Sequence, residues 1–454
     1  MNIVILAAGQ GKRMYSALPK VLHPIAGKPM LGHVLDTIQE IDSNTKPSVV
    51  LGHGQDFVRK FLDKYHPNVQ IAIQSEQKGT GHAVQQALPF LGDEGSTLIL
   101  YGDVPLIQPS TLKELLRLAE DGALAILTQE MANPTGYGRI VRNLEGEVSG
   151  IVEEKDATPD IKKIKEINTG IMACPTKDLR RWLSVIQPNN AQGEYYLTDI
   201  VGLAAKESVP IRTMMPQFAF EVEGVNNRLQ LATLERTWQS HLATQLLQDG
   251  LTLLDPQRID IRGKLSVGKD ISIDVGCVFE GNVEIADGVQ IGPYCVIKDS
   301  KIGANTQIKA FSHIEGATIN DEAVIGPYAR VRPGTLIDSQ AHIGNFVEVK
   351  NSYIGTNSKA NHLSYIGDAK VGKRVNIGAG TITCNYDGVN KHLTTIEDDV
   401  FIGSDSQLVA PVTVGKGATL GAGTTLTKDA PADKLTISRA KQLSVEWKRP
   451  VKNK

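Results

Sequence analysis

No Cys-x-x-Cys pair occurs in this 454-residue chain, and its four cysteines, Cys174, Cys277, Cys295 and Cys384, lie far apart. That spacing argues against a zinc ribbon, a dithiol redox motif or a disulfide framework, and it fits thiols kept in a reducing compartment. Net charge is lacking too: 48 Lys and Arg face 50 Asp and Glu, a formal charge of -2. Without a whole-molecule field to attract nucleic acid or an anionic membrane, any basic site has to be local. Long apolar runs are missing as well. The run Ile3 to Ala8 is too short for a signal segment or a membrane span, and no basic residue precedes it. A cytoplasmic protein is expected, without membrane insertion and without a nucleic-acid partner.

What is present falls into two halves. At 454 residues the chain exceeds what one hydrophobic core sustains, so two or more domains are expected. Up to about residue 225, short apolar segments (NIVILAA, KPSVVLG, NVQIAI, STLILYGD, ALAILTQ) alternate with helical patterns, as over Met30 to Ile41 and Thr80 to Leu91. Near-continuous apolar strands separated by helices predict a largely parallel sheet covered on both faces, an α/β nucleotide-type domain. Between Asn226 and Gly250, residues Leu231, Leu234, Trp238, Leu242 and Leu246 recur at steps of three or four. This predicts an amphipathic connecting helix that Gly250 is placed to stop.

A different period governs the rest. Stepping from Ile261 by six, with two steps of five, meets sixteen consecutive Ile, Val or Phe residues ending at Val349. A hexapeptide period belongs to a parallel β-helix, in which each side of a coil turns one aliphatic residue inward and three sides make a coil of roughly eighteen residues. The ladder continues at Ile354, Ile366, Val371 and Ile377, with Ala360 in the slot at position 360, and resumes at Ile402, Leu408, Val414, Leu420 and Leu426. Between Thr383 and Val400 the register fails. The polar stretch CNYDGVNKHLTTIEDD is therefore expected to leave the coil as a loop on one face. The tail from Lys434 to Lys454 holds seven Lys or Arg against Glu446, either a solvated end or a phosphate-binding strip.

The glycine loop after the first strand does not fit the standard phosphate cradles. Gly9 and Gly11 begin a G-x-G-x-x-G, but Met14 stands where the third glycine belongs, and a G-x-x-x-x-G-K-[ST] loop is absent. What remains is a turn of small residues whose N–H groups can approach phosphate, followed by the cations Arg13 and Lys20. Asp103 directly follows an apolar strand, where it can cap a helix or ligate a hard cation. Gly79 and Thr80 open a helix and offer a second anion or carbonyl site.

In combination, LAAGQGKRM with the later PK, then QKGTGHA, YGDVPL, GYGRI, EINTGI and EVEGVNN, resemble the sugar-phosphate nucleotidylyltransferase signature. With the hexapeptide half appended, essentially the whole chain resembles the bacterial bifunctional N-acetylglucosamine-1-phosphate uridylyltransferase/glucosamine-1-phosphate acetyltransferase family. Lys12, where the family often has Thr, is a departure. The resemblance implies a Rossmann-like nucleotidylyltransferase domain over 1–226, a helical linker over 227–250 and, over 251–454, a left-handed parallel β-helix acetyltransferase domain with the basic tail. It implies that Leu6, Ala7, Ala8 and Gly9 contact the nucleotide and that Gln74, Gly79 and Thr80 read uracil. Tyr101, Gly102, Asp103, Gly138, Glu153 and Asn168 would line the sugar site, Asp103 and Asn226 would hold Mg²⁺, and Arg13 and Lys20 would neutralise the triphosphate of UTP.

For the second half, acylation of a sugar amine needs a base and donors for an oxyanion. His362, beside Ala360, is either a surface residue or that base; the resemblance implies the base. It likewise implies Arg332, Lys350, Tyr365 and Asn376 as sugar-phosphate contacts, and Ala379, Asn385, Tyr386, Ser404, Ala422 and Arg439 as contacts to acetyl-coenzyme A. A homotrimer, and a product feeding peptidoglycan and lipopolysaccharide synthesis, are implied in the same way. Two rival readings are a β-helix that serves assembly alone, and a zinc enzyme using His313, His342 and His362.

Overall fold

In the computed structural model, residues 1–450 are described, and close packing divides the chain into Met1–Trp238 and Gln239–Lys454. The two last basic residues of the tail, Lys452 and Lys454, lie outside the described residues.

In the first unit the five predicted strands form, as Asn2–Ala7, Ser48–Leu51, Gln70–Ile73, Ser96–Tyr101 and Leu124–Glu130. The sheet runs in the order Ile211–Met214, Leu124–Glu130, Glu166–Pro175, Ser96–Tyr101, Asn2–Ala7, Ser48–Leu51, Gln70–Ile73. Its pairings are parallel except those of Glu166–Pro175 and of the hairpin Arg139–Arg142/Val148–Val152 attached to it. Both faces are covered, which is why the strands are apolar throughout: Ile3, Ile5 and Ala7 enter one core with Leu31, Leu62 and Leu112, while Val4, Leu6 and Ala8 enter another with Val84, Trp182 and Ile200. Strand order reverses at Asn2–Ala7, whose neighbours are Ser48–Leu51 and Ser96–Tyr101. The crevice beyond the carboxyl ends of strands at such a reversal is where open α/β sheets bind ligands.

The first predicted helix, Met30–Ile41, forms as expected. The second stops at Ala87 rather than Leu91, because Pro89 has no N–H to continue it and enters a 3₁₀ turn at Leu88–Phe90. Helix Arg228–Gln248 spans the division between the units. It is not a free connector: Leu234, with Leu231 and Trp238 beside it, joins a core of Met14, Ile25 and Met30, whereas Ala243 and Leu246 join the core of the second unit. Its end is a Schellman motif. The N–H of Leu251 donates to Leu246 O at 3.0 Å and that of Gly250 to Leu247 O at 3.1 Å, and Gly250 takes φ +99°.

The second unit is a stack of parallel coils. Short strands build an eleven-stranded and a seventeen-stranded ladder, the latter winding through two sides of each coil. Partners on successive coils lie mostly 17 or 18 residues apart, as in Ile291↔Ile308 and Ile273↔Ile291, and 25 apart where the excursion intervenes, as in Ile377↔Ile402. The aliphatic positions stack as three inward columns; one reads Ile291, Ile308, Ile325, Ile343, Ala360, Ile377, Ile402, Leu420. Each of these residues is buried, and Val267, in the first coil, is only partly so.

The coil is not lost between Thr383 and Val400, contrary to the expectation from the sequence. Thr383 takes the inward place opposite Leu408, and Ile396 the next one, between Val371 and Val414. Both are 1% exposed. The period is hidden because the excursion sits inside one turn of the coil and stretches a step of six to thirteen, and because the inward residue before it is polar. The Thr383 hydroxyl accepts the Gly367 N–H at 2.8 Å and donates to Gly367 O at 3.0 Å, so its polarity is satisfied inside the prism.

Two substitutions separate these roles. Ile343→Ala should cost about 2–5 kcal/mol through the cavity it leaves. Thr383→Val, although more apolar, should cost about 1–3 kcal/mol by stranding the Gly367 N–H. Denaturant titration of the full chain followed by circular dichroism measures both, and a stabilised Thr383→Val protein would contradict the assignment.

Candidate active sites

The first site is built at the strand-order reversal. After Ala7 the chain turns through Gly9 and Gly11 into a 3₁₀ turn at Lys12–Met14. Gly11 has φ +60°, and a Cβ there would stand 2.8 Å from Lys20 Cβ, so glycine is what lets the loop lie on Lys20. Gly9 differs: a Cβ there would meet no atom within 4 Å, and the fold itself makes no demand for glycine. The turn buries Met14 and leaves Arg13 exposed, and Arg13 is not among the residues that line the groove.

That groove, about 280 Å³, is lined by ten of the expected residues: Leu6, Ala7, Ala8, Gly9, Lys20, Gln74, Gly79, Thr80, Tyr101 and Asp103. Val21, Gln77, Ala83 and Glu194 line it too and had not been anticipated. Gln77 was within reach of motif reasoning, since it opens QKGTGHA; its amide donates to Ala8 O at 2.7 Å and fastens the glycine turn. Gln74 donates to Gly79 O at 3.0 Å. Gly79 has φ +106°, and a Cβ there would stand 2.5 Å from Tyr195 O. The Thr80 hydroxyl accepts the Leu197 N–H at 3.1 Å.

Three distant segments converge at one end of the groove. The Gly102 N–H donates to Leu6 O at 2.9 Å, and Asp103 O accepts the Val225 N–H at 3.0 Å, which draws Asn226 to Asp103. The Lys20 ammonium then donates to the Asp103 carboxylate and, at 3.0 Å, to Asn226 Oδ1. One carboxylate and one amide oxygen are hard donors of the kind Mg²⁺ accepts together with substrate phosphate and water, so this donor set fits that ion.

The expected sugar-site residues are linked to the groove by contact. The Tyr101 ring lies over Gly170, where a Cβ would stand 2.6 Å from the ring. Asn168 Oδ1 accepts the Gly170 N–H at 3.0 Å, and the Asn168 N–H donates to Gly138 O at 2.9 Å. A Cβ on Gly138 would stand 3.3 Å from both Glu153 carboxylate oxygens. Glu153 accepts the Thr198 hydroxyl at 3.0 Å. Burial pushes the Glu153 carboxyl above the usual range, with Asp156 and Asp199 adding to it and Thr198 opposing. Burial, then the charges of Glu153 and Asp103, pushes the Tyr101 phenol up as well.

On the β-helix the expected residues separate into two groups. Val331, Val349 and Ile366 stack inward. The residues after them, Arg332, Lys350 and Gly367, therefore stack outward in one column. Gly367 has no side chain, and the Tyr365 hydroxyl occupies the space where its Cβ would be. Arg332 donates to Glu348 at 2.7 Å. Lys391, from the excursion, stands beside Lys350 and, with Arg332 behind it, pushes the Lys350 ammonium below the usual lysine range. Lys391 had not been anticipated. Asn385 is buried, with its amide on Asp368, and ties down the base of the excursion, while Tyr386 is exposed beyond it.

The second group is a single line along the prism. Asn345 pairs with His362, and the register carries the line on through Ala379, Ser404 and Ala422 on the following coils. The Asp405 N–H donates to Ala379 O at 2.7 Å and the Gly423 N–H to Ser404 O at 2.8 Å. Small residues thus follow His362 along this line. Arg439 closes its far end beside Gly421 and Gly423, at 3.7 and 3.6 Å from where their Cβ atoms would be. Asn376 lies in the same ladder as His362, opposite Lys359, and not in the cationic column. His313 pairs with Arg330 in the other ladder, and among the described residues His313, His342 and His362 form no group placed to hold a metal ion.

Residues 3–157 match the MobA-like NTP transferase domain, residues 299–333 the bacterial transferase hexapeptide (six repeats) and residues 393–428 the hexapeptide repeat of succinyl-transferase. The bifunctional protein GlmU of Cupriavidus pinatubonensis is 60% identical over 453 residues, covering 100% of this chain and 99% of that protein. GlmU of Bordetella parapertussis is 58% identical, with 100% and 99% covered, and GlmU of Azoarcus sp. 59% identical, with 100% of each. A solved UDP-glucose pyrophosphorylase complexed with UDP-glucose is similar over 52% of this chain and 97% of its own, at 18% identity and a TM-score of 0.43.

The burial of Glu153 has a measurable consequence. An acid whose pKa is raised on folding subtracts stability above that raised value and subtracts none below its unfolded value. Glu153→Gln should therefore raise the melting temperature at pH 7, with the gain shrinking as pH falls through the carboxylate range. Calorimetry from pH 7 to pH 4 reads it out, and a gain that stays constant with pH would show that charge burial is not its source.

Proposed function

We propose, from the premise that this chain belongs to the family of the bifunctional GlmU proteins and is a uridylyltransferase and acetyltransferase, that the two constellations are its two active sites. In the first, Leu6 to Gly9 approach the nucleotide and Gln74, Gly79 and Thr80 read uracil. Gly9, which nothing in the fold requires, leaves its space to the phosphates. Tyr101 to Asp103, Gly138, Glu153 and Asn168 hold the sugar. An oxygen of N-acetylglucosamine 1-phosphate attacks the α-phosphorus of UTP in line, the bond to the β-phosphate oxygen breaks, and pyrophosphate leaves. Two anions have to meet, so positioning and positive charge carry the catalysis. Lys20 supplies that charge from between Asp103 and Asn226, and the exposed Arg13 adds to it on the triphosphate. Asp103 and Asn226 would hold Mg²⁺, which when bound neutralises phosphate charge.

In the second site Arg332, Lys350 and Lys391 receive the phosphate of glucosamine 1-phosphate, with Tyr365 and Asn376. Acetyl-coenzyme A lies along Ala379, Ser404 and Ala422 toward Arg439, flanked by Asn385 and Tyr386. The sugar amine attacks the thioester carbonyl, His362 takes the proton, and the thiol leaves. We read the chain as a cytoplasmic homotrimer whose product feeds peptidoglycan and lipopolysaccharide synthesis.

The observation that carries this reading is the meeting of Lys20, Asp103 and Asn226 at the mouth of the glycine-turn groove. It is tested by incubating the full chain with glucosamine 1-phosphate, acetyl-coenzyme A, UTP and Mg²⁺, omitting each in turn. UDP-N-acetylglucosamine should need all four. Asp103→Ala should lower uridylyl transfer on the order of 10²–10³-fold and leave acetyl transfer intact. His362→Ala should do the reverse, losing about 10²–10⁴-fold in acetyl transfer. Substantial uridylyl transfer by Asp103→Ala would sink the first assignment.

A further inference from the structure

We infer that Asn345 is the positioning residue of acetyl transfer: its side-chain oxygen fixes the His362 ring with the proton on Nδ1 and leaves Nε2 as the base. The inference rests on the reading of His362 as general base.

Asn345 ends the strand His342–Asn345, and His362 ends Lys359–His362 on the next coil in the same register. Parallel neighbours lie about 4.8 Å apart, so side chains leaving the same position of two coils meet. Here Nδ1 and Asn345 Oδ1 are 2.8 Å apart. An amide oxygen can only accept, so Nδ1 donates. A neutral imidazole carries one ring proton, and with that proton on Nδ1 the lone pair is on Nε2. Among the described residues Nε2 has no hydrogen-bond partner.

The backbone repeats the grip. The N–H of Leu363, which takes φ +48°, donates to Asn345 O at 3.1 Å. The Ser364 hydroxyl donates to His362 O at 2.9 Å. The coils approach so closely at this corner that a Cβ on Gly344 would collide with Asn361 O. His362 is thus held by side chain and main chain from the same neighbour, on the line that continues through Ala379, Ser404 and Ala422.

The partner is an amide, not a carboxylate, so it orients the ring without placing negative charge beside it. Of the groups facing the ring, His342 is held below the usual histidine range by burial, then by Lys309, Lys359 and His362 itself. Lys359 lies on the ring's own strand, and Asn376–Ile377 on the coil beyond bring no titratable group. In the reaction the amine nitrogen forms its bond to the thioester carbon and its proton passes to Nε2. The C–S bond then breaks, and the departing sulfur takes a proton back.

The test uses full-length Asn345→Leu, Asn345→Asp and His362→Ala, with kinetics of both reactions against pH and ¹⁵N NMR of the histidine rings. Asn345→Leu should lose roughly 10–100-fold in kcat for acetyl transfer, a part of the 10²–10⁴ that a positioned base supplies, with KM for glucosamine 1-phosphate and uridylyl transfer unchanged. Asn345→Asp restores the acceptor, so the rate should recover at high pH. Its carboxylate favours the imidazolium, so the acid limb of the profile should move up by about one pH unit. The spectrum of the unsubstituted protein should show His362 as the Nδ1–H tautomer. An unmoved acid limb in Asn345→Asp, a full kcat in Asn345→Leu, or an Nε2–H tautomer overturns the inference. Acetyl transfer surviving in His362→Ala would instead overturn the base itself. If Asn345→Leu fails to fold, shown by loss of uridylyl transfer, the Asn345→Asp profile and the tautomer still decide.

Discussion

Parallel strand pairing is the constraint on which both halves of this chain depend. A parallel neighbour cannot be reached by a tight turn, so the chain has to travel back before it pairs again. In the first unit that return is made by helices, and Asn2–Ala7 and Ser96–Tyr101 consequently end on the same edge of the sheet. That edge is where Gly9, Gly102 and Asp103 emerge together. In the second unit the return is made by two further strands, so position n of one coil lies on position n of the next. One pairing rule thus yields an edge of converging strand ends in one unit and lines of stacked residues in the other.

The stacked lines explain why chemistry in the β-helix needs so few residues. A line is straight, and its spacing is set by backbone hydrogen bonds rather than by side-chain packing. A polar pair such as Asn345 and His362 is therefore aligned by the ladder before either side chain contributes. Down the same line the small residues Ala379, Ser404 and Ala422 repeat at coil spacing. On another line the repeat brings cations together, in Arg332 and Lys350, until Gly367 interrupts it and Tyr365 fills the space. Each feature is a local choice at one position of a coil, and the coil turns it into a surface.

The sequence shows these elements unevenly, and the reasons are physical. The inward ladder is legible because one face of every side has to be aliphatic, so burial imprints a period. It became illegible at Thr383, where a hydroxyl satisfied by Gly367 replaces an aliphatic side chain, and at Ile396, displaced by the excursion. The first groove is legible from the glycines and strand ends, and the family motifs name most of its lining. Arg13 is not among the residues that line the groove: the 3₁₀ turn buries Met14 and leaves its neighbour Arg13 exposed. Asn345 leaves no mark in a linear reading: seventeen residues separate it from His362, and only the coil length makes them neighbours.

The two sites manage positive charge in opposite ways, and the difference follows from burial. Lys20 and Asp103 are 11% and 18% exposed. At that depth an unpaired ammonium would be costly, so the cation is held by a carboxylate and an amide oxygen. The Lys350 column lies on an open face, where water tolerates like charges side by side, and Lys391 and Arg332 crowd it, with Asp368 near Lys350 and Glu348 on Arg332 compensating in part. Crowded cations destabilise a fold slightly and gain only when an anion arrives. The buried site therefore has to exchange partners to use its charge, whereas the exposed one presents charge that the fold compensates only in part. A step that joins two anionic phosphates through a phosphoanhydride bond suits the first arrangement, and the capture of a single phosphate by a solvent-facing cluster suits the second.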